Sequence, residues 1–255
     1  MLAVTPGAPA DLTMVVPTYN ERDRLAELVR ALFDAAAGDR IDLEVVIVDD
    51  NSPDGTGAIA DDLARTYRMR VIHRAGKLGL GTAVVAGFQA ASAEIVGCMD
   101  ADFSHPPALV PKLLRAFRAA AADVVVASRY VPGGGTSGWP LSRRLLSRAG
   151  CLLARPLSPI RDAASGFFLI KRSIAQSAAI KAGGFKICLE LIMRAWPTRL
   201  AEVPYRFEDR QAGQSKMSMR EATGYLKQLG DLYLLRFVGG RRPQRAYRQF
   251  APGEI

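Results

Sequence analysis

Five short apolar runs rich in β-branched residues, at 12–16, 43–48, 69–73, 94–99 and 123–128, constrain this chain's fold more than any other feature. Each has strand character, although Pro17 is expected to break the first. Segment 21–37 places Leu25, Leu28, Val29, Leu32 and Phe33 at helical spacing, and 58–67, 82–91 and 109–121 read as further helices. Strand–helix–strand alternation predicts an α/β fold whose mostly parallel sheet carries helices on both faces. The strands are nearly continuous in apolar residues, as strands buried on both faces must be. In such sheets ligands bind beyond the carboxyl ends of the strands. The informative residues are then 17–21, 49–54, 74–81, 100–105 and 129–135.

The chain has 255 residues, 49% of them apolar and 23% charged, enough for one large domain or two small ones with a substantial core. That composition excludes a disordered, collagen-like or coiled-coil chain. No apolar run reaches the 18–20 residues or so that span a bilayer. The N-terminus lacks the basic and apolar regions of a secretory signal, so none is expected. Cys98, Cys151 and Cys188 lack metal-ligand spacing and read as buried, reduced thiols. Residues 1–139 hold 13 Lys/Arg against 17 Asp/Glu, a net −4, whereas residues 140–255 hold 21 against 8, a net +13. Such asymmetry suggests an anionic partner for the second half: nucleic acid, a membrane surface or a phosphorylated substrate. No recognisable nucleic-acid motif accompanies the basic residues, so nucleic acid is not expected.

Beyond Tyr130 the pattern changes. Segment 131–139 (VPGGGTSGW) is Gly-rich and reads as a loop. Segment 141–154 reads as an amphipathic helix, with Leu141, Leu145, Ala149 and Leu152 on one stripe and Arg143, Arg144 and Arg148 beside it. Segment 218–237 is helical again, with Met219, Ala222, Leu226, Leu229 and Tyr233 in register. The basic tail 238–255 is expected to be flexible.

The sharpest chemical feature is Asp100-Ala101-Asp102, at the end of an apolar strand. If the segment stays extended, residues two apart point the same way and two carboxylates face one point. Like charges held together call for a cation, and oxygen ligands select Mg²⁺ or Mn²⁺. Ser104 adds a hydroxyl on the same face. The alternative is a pair of solvated loop aspartates. Asp49-Asp50 ends another strand, where a carboxylate can accept hydrogen bonds from a ribose or base, or serve the turn. Asp54 reads as a helix cap. The Gly76–Gly81 run matches neither the dinucleotide fingerprint nor the phosphate-binding loop of nucleotidases. His73 and His105 stand apart from any nucleophile, and His105 is expected to shape the loop after the carboxylates. Ser165-Gly166-Phe167 and Trp139 read as turn and packing residues.

The motifs PTYNE (17–21), VDDNSPDG (48–55), KLGLGT (77–82), DADFSH (100–105), SRY (128–130), Gly133-Gly134 with Trp139, SGF (165–167), and Asp209-Arg210 with Ser215-Lys216 come in an order that resembles the dolichol- or polyprenol-phosphate mannosyltransferases. Those are family 2 inverting glycosyltransferases with the GT-A fold. The resemblance runs from about residue 14 to about 229. It implies a nucleotide-sugar donor, typically GDP-mannose, and a polyprenyl or dolichyl phosphate acceptor. It places Pro17, Tyr19, Glu21, Val48 and Asp50 in the nucleoside pocket, with Asp100 and Ala101 bordering donor and metal. Asp100, Asp102 and Ser104 would hold Mg²⁺ or Mn²⁺. Arg129, Arg210 and Lys216 would meet the donor phosphates and the transferring sugar, making them catalytic together with Asp102. Arg143 and Ser147 would contact the acceptor phosphate.

The resemblance further implies one glycosyltransferase domain over 1–237, with a nucleotide-sugar half (1–139) and an acceptor, membrane-facing half (140–237). It places the protein peripherally on the cytoplasmic face of a membrane. Both amphipathic helices either pack in the core or lie on anionic lipid through Arg and exposed Leu. One such helix binds lipid only modestly, which leaves a role for a membrane-anchoring partner protein. The alternatives are a polyprenyl-phosphate glucosyltransferase or other UDP-sugar transferase, and a non-catalytic nucleotide-binding scaffold.

Overall fold

The computed structural model describes residues 9–180, 186–208, 219–238 and 242–255. In chain order its first half runs β1 (Leu12–Thr18), α1 (Arg22–Gly38), β2 (Leu43–Asp49), α2 (Thr56–Ala64), β3 (Met69–His73), α3 (Leu80–Ala90) and β4 (Ile95–Cys98). A 3₁₀ turn (Pro107–Leu109) then leads into α4 (Val110–Ala119) and β5 (Val124–Ser128). The second half comprises β6 (Gly135–Ser137), α5 (Leu141–Ala154), β7 (Phe168–Lys171), α6 (Arg172–Ser177) and α7 (Ile187–Ala195). It continues through β8 (Arg199–Pro204), β9 (Arg206–Glu208), α8 (Met219–Val238) and β10 (Ala246–Gln249).

The main sheet has the order β10-β8-β5-β7-β4-β1-β2-β3. All its pairings are parallel except those of β7, which runs antiparallel between β4 and β5. The expected α/β architecture is present. Alternate residues of β1 feed opposite faces: Leu12, Met14 and Val16 join the core beneath α1 and α4, and Val15 joins the core beneath α3 and α7. Both faces are covered, so the strands carry no polar face and read as unbroken apolar runs. Gly97 marks close packing, since a Cβ there would stand 2.3 Å from Met14 Sδ and 2.6 Å from Leu169 Cδ2.

Pro17 does not end β1. It pairs in register with Val48, and its ring nitrogen belongs to the side facing β4, whose ladder stops at Val15. A proline costs little where no partner awaits its N–H. The Gly-rich loop contains β6, paired in parallel with β9 in a small second sheet.

One other expectation is corrected, and one open alternative is decided. The tail is not free along its length: β10 adds an edge strand to β8, with Tyr247 opposite Leu200 and Gln249 opposite Glu202. Phe250 is buried behind it. The Arg-rich flanks hide a short alternating strand whose anchors are aromatic. Arg242 and Arg245 fasten its start by donating to the carbonyls of Met193 (3.1 Å) and Leu157 (3.0 Å). The apolar stripe of α5 is not core either. Cys151 and Ala154 are the buried residues of that helix, while Leu141, Leu145 and Leu152 are more than half exposed. On α8, Leu229 and Leu232 face inward with Ala154 and Met193, and Leu226 faces out.

Candidate functional site

The loops after β1 and β2 are stitched together first. Asn20 and Asn51 sit in the left-handed region (φ 60° and 58°), which asparagine tolerates and most residues avoid. The Asn20 N–H donates to Ser52 Oγ at 3.0 Å, and the Ser52 hydroxyl donates to Asp49 Oδ1 at 2.6 Å. Asp49 thus serves the turn. Asp54 accepts from the Thr56 N–H (3.0 Å) and hydroxyl at the start of α2 and from the Arg22 N–H, confirming its capping role. Asp50 is left as the carboxylate of this corner, ion-paired with Arg74 at 2.7 Å. Burial raises its pKa above the usual carboxylate value despite that partner. Tyr19 is exposed, with the Lys77 ammonium 4.1 Å over its ring, and Glu21 donates its N–H to the Thr56 hydroxyl. Pro17 is half-buried at the same strand end. The side chain of Val48 is wholly enclosed in the core with Val15 and Val84, so it lines no open pocket.

The acidic loop begins after Cys98, where the chain bends instead of continuing extended. Phe103 adopts φ 63°, an outlier for a bulky residue and a local store of strain. Asp100 therefore keeps its side chain 42% exposed, whereas Asp102 is buried and accepts the Ser104 N–H at 3.0 Å. The expected extended geometry is absent, and a bend holds the two carboxylates in different surroundings. Ala101 is packed into the core beneath them. The Ser104 hydroxyl is buried without a hydrogen-bond partner among the described residues.

His105 shapes this loop, as its position suggested. Its Nδ1 accepts the Asp100 N–H at 2.9 Å, which places the proton of the neutral ring on Nε2. Burial lowers its pKa, overriding the pull of Asp100 and Asp102, so the ring stays neutral. It stacks on Phe167, with ring centres 5.0 Å apart. A Cβ on Gly166 would stand 3.3 Å from the His105 ring and 3.6 Å from Asp100 Oδ1, so SGF is a close-packed wall of the acidic loop.

Arg129 follows β5. Its Nε and Nη2 donate to the two oxygens of Asp162 at 2.7 Å each, and its backbone N–H donates to Asp162 Oδ2 at 2.9 Å. Both residues are buried. Burial alone would depress the guanidinium pKa, but the Asp162 carboxylate holds it above the ordinary arginine value. The same guanidinium lies over Trp139 and Phe207, and it lines an open cleft with Tyr130, Thr136, Arg144 and Arg148. Of the two residues expected to meet an acceptor phosphate, Arg143 stacks on Trp139 at 4.1 Å, and Ser147 accepts the Tyr130 hydroxyl at 2.7 Å. Arg210 and Lys216 lie outside the described residues.

Two contributors escaped the sequence. Asp162 lies in a loop outside every motif, and its contact with Arg129 is what distinguishes it. Lys186, just before α7, is half-buried within electrostatic reach of Arg129 and Asp100, and desolvation lowers its pKa. Arg144 and Arg148 were legible as the basic flank of α5, though not as the wall of the cleft. A bent acidic loop thus faces a fixed guanidinium and a basic cleft at the carboxyl edge of a parallel sheet. That arrangement suits a diphosphate with a hard cation on one side and a second anion on the other.

The glycosyl transferase family 2 model matches residues 13–189. A dolichol-phosphate mannosyltransferase of Pyrococcus furiosus is 36% identical over 222 residues, covering 86% of this chain and 62% of that protein. This chain thus spans about three-fifths of that relative's length. A protein of the same name from Mycosarcoma maydis is 40% identical over 237 residues, 88% of this chain and 80% of the relative. Among solved structures, a mannosyltransferase from Pyrobaculum calidifontis in complex with GDP-Man and Mn²⁺ has a TM-score of 0.63 at 16% identity, covering 94% of this chain and 68% of that one. That likeness establishes the GT-A fold. The chain belongs to glycosyl transferase family 2, alongside the relatives named dolichol-phosphate mannosyltransferase.

Proposed function

We propose that this protein transfers mannose from GDP-mannose to a polyprenyl or dolichyl phosphate. The observation that carries this reading is that the acidic loop and the basic site meet on one aromatic wall: His105, which accepts the Asp100 N–H, and the Arg129 guanidinium held by Asp162 both lie against the Phe207 ring. The 36–40% identity to proteins named for that activity supports it.

Asp100, Asp102 and Ser104 fit a Mg²⁺ or Mn²⁺ ion: the donors are hard oxygens, and the buried Ser104 hydroxyl lacks a partner among the described residues. When bound, the ion would offset charge on the leaving diphosphate. Tyr19, Glu21 and Asp50 would bind the nucleoside beside Pro17. Arg129, with Arg210 and Lys216, would hold donor phosphates. Arg143, Ser147 and the cleft arginines would orient the acceptor phosphate. That acceptor is already an oxyanion near neutral pH and needs positioning more than a general base. Its oxygen forms a bond to the anomeric carbon as the bond to GDP breaks on the opposite face. An α-linked donor then gives a β-linked lipid phosphate sugar.

Residues 1–139 act as the donor half and 140–237 as the acceptor half of one domain. No helix among the described residues is long and apolar enough to cross a membrane. The acceptor half instead rests on the cytoplasmic face of a membrane. Leu141, Leu145 and Leu152 on α5 are exposed on the helix that carries Arg144 and Arg148, and Leu234 and Phe237 on α8 are exposed as well. Burying apolar side chains and pairing arginines with anionic headgroups both favour that contact. A membrane-anchoring partner would strengthen it.

Calorimetric titration with GDP-mannose, GDP, UDP-glucose and UDP, each with Mn²⁺ and with EDTA, tests the donor. Transfer to polyprenyl phosphate then tests the acceptor. Metal-dependent preference for the guanosine pair is expected. Preference for the uridine pair moves the function to a glucosyltransferase, and no binding refutes the enzyme reading.

A further inference from the structure

We infer that the C-terminal strand β10 is a positioning element for Arg129, acting through a buried chain of hydrogen bonds, Tyr247–Glu202–Asp162–Arg129. This assignment rests on the proposed function only in giving Arg129 its task at the donor.

The chain is continuous. The Tyr247 hydroxyl donates to Glu202 Oε2, and the Gln249 side-chain amide donates to the Tyr247 oxygen at 2.7 Å. Glu202, on β8, is wholly buried. Its carboxylate also accepts the N–H of Arg161 at 2.8 Å, the N–H of Asp162 at 3.0 Å and the Ser128 hydroxyl. It therefore fixes the backbone of the loop that presents Asp162. Asp162, itself fully buried, takes both Nε and Nη2 of Arg129. A bidentate guanidinium–carboxylate pair transmits orientation as well as charge, because both groups are planar. Every link between Glu202 and Arg129 is shielded from water, so a displaced member has no solvent to replace its partner.

The strand braces the site from a second side. The Phe250 N–H donates to the Glu202 carbonyl at 3.0 Å, and the Phe250 ring is buried in the core. Pro252 then presses on Gly133, in the loop just after Arg129. A Cβ on Gly133 would stand 2.3 Å from Pro252 Cγ, and φ there is +87°. The last residues of the chain thus contact both the partner of Arg129 and the loop that follows it. An edge strand otherwise needs neither a tyrosine aimed at a buried carboxylate nor a proline against a glycine turn.

The test is a double-mutant cycle in the full chain. Tyr247→Phe keeps the ring and removes the hydroxyl. One hydrogen bond to a buried charged group is worth about tenfold. We expect kcat for mannose transfer to fall roughly tenfold, with donor KM nearly unchanged and the melting temperature lowered by only about 3–6 °C. Arg129→Lys will be slow, and adding Tyr247→Phe to it should cost nothing more. A wild-type rate for Tyr247→Phe, or losses that multiply in the double variant, overturns the proposal. A second readout needs no activity: the Arg129 Nε–H resonance in nitrogen-15 spectra should shift in Tyr247→Phe. An unmoved resonance overturns the proposal even if wild-type protein transfers no mannose to polyprenyl phosphate, a result that would sink only the proposed function. If Tyr247→Phe unfolds, Gln249→Leu, which removes the donor that orients the hydroxyl, is read by the same spectrum and the same cycle.

Discussion

Replacing Asp162 with Asn strikes the electrostatic centre of the site. Asp162 has no exposed surface and receives three N–H groups from Arg129. Asparagine keeps one acceptor oxygen but sets an NH₂ against a guanidinium donor, and it removes the only carboxylate in direct contact with Arg129 among the described residues. Removing one partner of a buried pair costs about 3–5 kcal/mol, because the other charge is left without compensation. In a domain of this size each kcal/mol lowers the melting temperature by about 2–4 °C, so a fall of roughly 6–20 °C is expected. Differential scanning calorimetry at neutral pH measures it. Adding Arg129→Met removes the stranded charge, so the double variant should regain much of the lost stability and none of the activity. If Asp162→Asn melts within about 1 °C of wild type, or the double variant melts lower still, the compensation argument is wrong.

Asp123 joins β5, β7 and β8 by accepting from the Lys171 ammonium at 2.8 Å and from the Thr198 and Arg199 N–H groups at 3.0 Å each. Burial pushes its pKa up, but those donors pull it down to about 2. Its stabilisation, about 2 kcal/mol, is therefore complete above pH 4–5 or so and is lost as pH falls through about 2. Urea titrations of wild type and Asp123→Asn should differ at pH 7 and converge near pH 2. A gap that does not vary with pH would falsify that linkage. Gly97→Ala should cost about 1–3 kcal/mol by overpacking against Met14 and Leu169, read from the urea midpoint. No loss there means the two side chains move aside freely. Leu145→Glu with Leu152→Glu should sharply weaken flotation with anionic vesicles while leaving the melting temperature within about 2 °C, since both residues are exposed. Unchanged flotation would remove α5 from the membrane contact.

The sheet and its ligand edge were legible because a parallel strand buried on both faces has to be apolar throughout, and β1 to β5 announce themselves that way. Capping by Asp54 and the loop-shaping role of His105 were legible too, since both act within a few residues along the chain. The second half was harder to read. Strand β7 is only four residues long, and β10 hides aromatic anchors among arginines. The stripe on α5 was recognised as apolar, but periodicity does not say whether such a stripe faces protein or solvent.

The residue types at the strand ends, and so the chemistry the chain offers, were determined by sequence alone: carboxylates after β2 and β4, and a guanidinium after β5. Tertiary structure decided which of them meet. Asp49 was spent on a turn and Asp50 on Arg74, Phe103 bent the acidic loop, and Asp162 reached Arg129 across 33 positions. Contacts so distant along the chain depend on how whole elements pack, and no local pattern of residues encodes that packing.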